Sequence, residues 1–127
     1  ELSKFNTTIQ ILDSVLTSKT SLSNDQLEKI NGLRFNSYLN LSELDRALEI
    51  IQTILIIKPN KNNFKRLAYT YALLNERDKH FNIWETINDT FDLDLNETKY
   101  FYELLKTRRF QVKADEVFAV GKKKGFY

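Results

Sequence analysis

The chain has 127 residues, with no Cys, no Met, three Gly and one Pro; 42% of it is apolar and its formal net charge is +2. That length suits one ordinary domain with a packed core, and so few breakers exclude a sandwich or barrel of many tight turns. The absence of Cys excludes a disulfide framework, a thiolate metal site and a cysteine nucleophile, and so small a net charge does not announce a nucleic-acid partner. No apolar run approaches the roughly 18 residues of a membrane span. No basic leader precedes an apolar segment, so no secretory signal is expected. With no Met at position 1, the expectation is a processed product or a piece of a longer chain.

Residues 2–18 are expected to form a helix that turns Phe5, Ile9, Leu12 and Leu16 to one side. A second helix is expected near 25–38, with Leu27, Ile30 and Leu33 inward. The third region ends in "ILIIKPN", residues 54–60, which taken alone reads as a buried strand. Its context decides otherwise: Leu44, Ala47, Leu48, Ile51 and Leu55 advance in steps of three and four, one face of a helix. The spacing therefore predicts a helix over 42–56, stopped by Pro59, with Asn60 opening the next helix as its N-cap. Further helices are expected near 61–75, 78–91, 97–107 and 112–123. The 78–91 segment places His80, Ile83, Trp84, Ile87 and Phe91 on one face.

The segments repeat. Asn24, Asn60 and Asn96 lie 36 residues apart, and the same shift aligns Leu12, Leu48 and Trp84, then Ile11, Ala47 and Ile83, then Val15, Ile51 and Ile87. The last unit contracts by two, so that Val117 and Phe118 take the places of Ile83 and Trp84. The expected fold is all-α: an α-solenoid of antiparallel helix pairs with a 34–36-residue repeat and about seven helices. It divides into a half repeat at 1–23 and repeats at 24–59, 60–95 and 96–127. Asn24, Asn60 and Asn96 are expected as N-caps, and Leu48, Ile51, Ile83, Trp84 and Ile87 as core.

"ELDRALEIIQTILIIKPN" resembles the second half of a pentatricopeptide repeat: an Ala, an apolar helix, then a turn ending in Pro and Asn. "KADEVFAVGKKKGFY" resembles it too, through Ala114, Val117, Phe118 and Gly125, and "HFNIWETI" does so with Phe81 where Ala is usual. The related tetratricopeptide family is the alternative resemblance, without its Trp-x-x-Leu-Gly pattern. The pentatricopeptide resemblance implies a non-enzymatic module that binds single-stranded RNA, one base per repeat, in a mitochondrion, with no cofactor. It places base readers at the last repeat positions, Asn24, Asn60 and Asn96, and early in the first helix of each pair, at Lys29, Lys65 and Phe101. The family prefers small polar residues at the second set. Lys there implies phosphate contact and Phe implies base stacking. The alternative implies a scaffold for an extended peptide or protein partner, cytoplasmic or nuclear.

Residues 96–127 carry eight Lys/Arg against four Asp/Glu. Lys106, Arg108, Arg109, Lys113 and Lys122 to Lys124 are a candidate phosphate grip, or else a solvated face with cations near helix C-termini. Asp92, Asp94, Asn96, Thr98 and Glu103 occupy calcium-loop positions 1, 3, 5, 7 and 12, but Glu97 stands where that loop needs Gly, and a helix should begin within the segment. His80, the one histidine, is expected to pack in the core, as is Trp84. No second His or Cys exists to build a zinc site, and no nucleophile elbow or Gly-rich loop accompanies the Ser residues. Four Asn-x-Ser/Thr sequons, at Asn6, Asn40, Asn88 and Asn96, reflect twelve Asn in the chain rather than glycosylation.

Overall fold

The computed structural model describes residues 2–18 and 21–127, with the side chains of Leu2 and Ser18 outside the description. The described residues form seven α-helices and no strand: α1 Leu2–Ser18, α2 Asn24–Asn40, α3 Leu44–Ile57, α4 Lys61–Leu73, α5 Arg77–Thr90, α6 Leu95–Thr107 and α7 Gln111–Lys123. Consecutive helices pack against one another, α1 on α2, α2 on α3, α3 on α4, and α6 on α7. This is an all-α helical-repeat arrangement. The stretch at 54–57 is the last turn of α3, and Pro59 follows the C-cap Lys58, whose N–H closes on the Ile54 carbonyl at 2.8 Å.

The starts of α2, α4 and α6 are fixed by side-chain caps, whereas Glu43 and Phe110, before α3 and α7, make none. Ser23 caps α2 and Asp94 caps α6, each in a reciprocal capping box, with Gln26 and Glu97 respectively. Asn60 caps α4, as its position predicts, by accepting from the Asn63 N–H at 2.9 Å. Asn24 and Asn96 are not caps: they are the first and second residues of α2 and α6. The 36-residue shift misplaces them because α2 and α4 start 37 residues apart, at Asn24 and Lys61, whereas α4 and α6 start 34 apart, at Lys61 and Leu95.

Helix ends are more regular than starts. After α2, α4 and α6 the chain passes through a left-handed residue, at Ser42 (φ 58°), Asn75 (φ 60°) and Arg109 (φ 63°). In each case two backbone bonds close the turn. Ser42 N–H donates to Leu39 and Glu43 N–H to Tyr38; Asn75 donates to Ala72 and Glu76 to Tyr71; Arg109 donates to Lys106 and Phe110 to Leu105. These are Schellman turns. They recur 33 and 34 residues apart, at 42, 75 and 109, and Gly125 (φ 84°) ends α7 in the same way.

The chain separates into two compact units, with the division falling between Ile83 and Trp84 inside α5. The first is built on Ile9, Phe35, Tyr38, Ala47, Ile50, Ile51, Ile54 and Leu67, with Leu48 and Ile83 half-buried against them. The second buries Trp84, Ile87, Leu93, Phe101, Leu105, Ala114 and Val117. Ile51, Trp84 and Ile87 are thus core, as expected. Counted from the Schellman turns, Trp84 matches Ile51 rather than Leu48, and it matches Phe118 as the sequence pattern has it. Phe118 is nevertheless 39% exposed, and Ile11, from another of the 36-residue columns, is 59% exposed. Phe118 instead stacks on Tyr127, ring centroids 4.5 Å apart. Gly121 permits that approach, since a Cβ there would lie 2.6 Å from the Tyr127 ring.

His80 is buried, as its place on the apolar face predicts, with Nδ1 2.6 Å from the Ala68 carbonyl oxygen. Trp84→Ala is expected to cost about 3–5 kcal/mol in denaturant unfolding, the range for emptying a large aromatic site. Arg109→Gly is expected to raise stability by up to about 1 kcal/mol, because Gly removes the Cβ clash of a left-handed backbone. A loss of stability in Arg109→Gly would show that the side chain, and not the backbone, holds that turn.

Candidate functional site

The first helices of two successive pairs, α2 and α4, run along an open groove. One stripe of α2 contributes Asp25, Glu28, Lys29, Gly32, Leu33 and Asn36, and α4 contributes Asn62 and Arg66; together they line a recess of about 290 Å³. A second recess of about 390 Å³ follows, lined by Leu39, Asn40, Ser42, Leu44, Tyr69 and Leu73. The α2 residues advance in helical steps from 25 to 40, and 62, 66, 69 and 73 do the same on α4, so both recesses lie along the same two stripes.

A buried polar seam spans the two helices. Asn63 is fully buried. Its Nδ2 donates to Glu28 Oε2 at 2.8 Å and to the Lys58 carbonyl at 2.9 Å, while its Oδ1 accepts from Arg66 Nη1 at 3.0 Å. Asn60 Nδ2 lies 3.4 Å from the same Glu28 oxygen. Arg66 passes over Gly32, where an added Cβ would meet its Nη1 at 3.7 Å. A related seam joins α1 and α2: buried Asn31 accepts from Arg34 Nη1 at 2.8 Å, and Arg34 Nε reaches Asp13 at 2.8 Å. Both seams use Asn-x-x-Arg, at 31–34 and 63–66, with an acid on the neighbouring helix. That repeated motif was visible in the sequence, but a search for apolar columns passes over it.

At the groove's outer end, Asp25 pairs with Lys58 at 2.5 Å. The hydrogen bond and the charge of Asp25 raise the Lys58 ammonium pKa above its ordinary value. Both acids of the groove are therefore engaged. Lys29 is exposed and makes no hydrogen bond or ion pair with any described residue, and the carboxamides of Asn36 and Asn62 are likewise uncommitted.

The residues singled out for RNA do not form one line. Lys29 lines the groove, whereas Lys65 is half-buried on α4 and does not. Phe101 is fully buried in the second unit, so no base can stack on it in the folded chain. Its place is explained by packing: it lies on the inward face of α6, one turn before buried Leu105. Asn60 spends its side chain on capping and on Glu28, and Asn96 is exposed in the first turn of α6.

Much of the basic cluster is also engaged. Lys124 binds Asp92 at 2.6 Å and the Leu93 carbonyl at 3.1 Å, Lys113 lies 3.8 Å from Glu85, and Lys106 sits over the Tyr102 ring at 5.2 Å. Arg108 is the C-cap of α6, and Arg109 is exposed at the left-handed turn. Helix α6 begins inside the segment that matched a calcium loop, where Asp94 and Glu97 cap it. No described helix is long and apolar enough to cross a membrane.

Asn63→Ala removes the donor that satisfies the Glu28 carboxylate and the Lys58 carbonyl. It is expected to cost about 1–3 kcal/mol, the penalty for orphaning buried polar groups. Leu33→Ala, on the open stripe, should stay within about 0.5 kcal/mol. Equal losses in the two variants, by chemical denaturation, would mean that the seam is not what holds α2 to α4.

Comparison with protein-family models, with curated protein sequences and with solved structures gives no match. The functional reading therefore rests on the chemistry of the groove itself.

Proposed function

We propose that the first unit is a binding module for an extended stretch of polypeptide, held in the groove between α2 and α4. The observation that carries this reading is the composition of the groove: two acids, two bases and two uncommitted carboxamides, opening onto an apolar recess. A groove for nucleic acid needs an excess of cations along the backbone path and exposed aromatic faces for bases. Here the formal charges cancel, and the one aromatic residue of the stripe, Tyr69, lies at the apolar end. Carboxamides pair well with a peptide backbone because each offers both a donor and an acceptor. Stacked helical repeats present such a surface without needing a catalytic centre, so binding and not turnover is the activity proposed.

The test is a pair of titrations of the 127-residue chain, one against a pool of unstructured peptides and one against a pool of single-stranded RNA, each at 50 and 200 mM salt. The expected outcome is peptide binding whose constant changes by no more than a few-fold between the two conditions, since few ions are released. RNA binding that falls steeply with salt, and that is lost in the double variant Lys29→Ala and Lys65→Ala, would replace this reading with the one implied by the pentatricopeptide resemblance.

A further inference from the structure

Resting on the peptide-binding reading, we propose that the groove selects peptides with two features: an acidic side chain at its polar end, and a bulky apolar side chain about four or five residues away at the end beside the α2–α3 turn.

The polar end is neutral by count but not by what its charges are doing. Asp25 is held by Lys58, and Glu28 accepts from Asn63 and lies within reach of Asn60. The Lys29 ammonium has no such partner among the described residues, and it projects from the same stripe. An incoming carboxylate there meets a cation without displacing an existing bond. With Lys58 counted, three cations, Lys29, Lys58 and Arg66, stand against two acids here, so an incoming ammonium meets only carboxylates whose charge is already matched. Charge complementarity therefore favours an acidic ligand group.

The other end asks for the opposite chemistry. Tyr69 and Leu73 of α4 are 55% and 44% exposed, although they face a recess whose far wall is Leu39 and Leu44. Four large apolar side chains around one opening are an anchor pocket for a Leu, Ile or Phe side chain. Asn36 lies between the two ends. Its side-chain carboxamide is uncommitted while its carbonyl accepts from Asn40 at 2.8 Å, so it is placed to bond a peptide backbone crossing the groove.

The spacing follows from helix geometry. Lys29 and Leu39 are ten residues apart on α2, about 15 Å at 1.5 Å per residue. An extended peptide covers that distance in about four or five residues.

The experiment is fluorescence anisotropy of labelled ten-residue peptides of Ser and Thr carrying one Glu and one Leu four positions apart, titrated with the whole chain. Changing Glu to Gln, changing Leu to Ser, and closing the spacing to one residue should each weaken binding about tenfold. Lys29→Glu should invert the preference, binding the peptide with Lys in place of Glu more tightly than the original; this gain also establishes that the variant is folded. Tyr69→Ser should remove the Leu dependence and leave the Glu dependence.

If peptides bind but neither Glu nor Leu matters, the two-feature inference is overturned while the module reading stands. If no peptide binds at all, both fall together. A concentration-dependent dimer that Tyr69→Ser abolishes would also overturn it, by giving the apolar recess to a second copy of the chain.

Discussion

A single left-handed residue at the end of each first helix governs the rest of the architecture. At Ser42, Asn75 and Arg109 the backbone leaves the right-handed region for one residue, and two N–H groups return to carbonyls of the turn just completed. The orphan carbonyls of the helix end are thereby satisfied inside the chain, and the next helix starts within about two residues, reversed in direction. Once that reversal is fixed, the apolar faces of α2 and α3 have little choice but to meet, and Phe35 and Tyr38 pack with Ala47, Ile50, Ile51 and Ile54. None of these three positions is Gly. The strain of a Cβ there is offset by two backbone bonds and by the packing that the reversal permits.

The existence, type and order of the helices were legible from periodicity alone, including the apolar run before Pro59. The register of the repeat was less so. Apolar columns in neighbouring helices tolerate a shift of two or three residues, because one helical turn returns a side chain to nearly the same face. Turn chemistry does not tolerate such a shift. "LSELD" at 41–45 and "LNERD" at 74–78 share Leu, a short polar residue for the left-handed position, Glu and Asp at a spacing of 33, and they mark the true period. Two of the three caps are displaced for a similar reason: Ser23-x-x-Gln26 and Asp94-x-x-Glu97 are reciprocal pairs, while the recurring Asn is the cap only at Asn60. Phe101 illustrates a third limit. An aromatic residue early in a helix reads equally as an exposed platform or as core, and only its packing shows that it is fully buried.

Beside the groove, α2 and α4 are joined through polar side chains. Asn63 donates through Nδ2 to Glu28 and to the Lys58 carbonyl and accepts at Oδ1 from Arg66, which lies in contact distance of position 32. Such a seam is demanding about geometry, since a slipped register would leave the amide and the carboxylate unpaired. It fixes how the helices sit while leaving their outer stripes uncovered. Glu28 is thereby bonded within the seam, while Lys29 stands on the uncovered stripe.

Packing between chain neighbours has a kinetic consequence. In the first unit α1 meets α2, α2 meets α3 and α3 meets α4, so that native contacts close loops of little more than one helix pair. The entropy lost before the first rewarding contact is small, and chains of this kind, with low contact order, collapse and order quickly compared with sheets of similar length. A nascent chain would gain stabilising contacts as soon as each second helix emerged, without waiting for a distant strand. Folding speed and an open stripe on α2 and α4 thus go with the same packing, in which most contacts join helices adjacent in the chain.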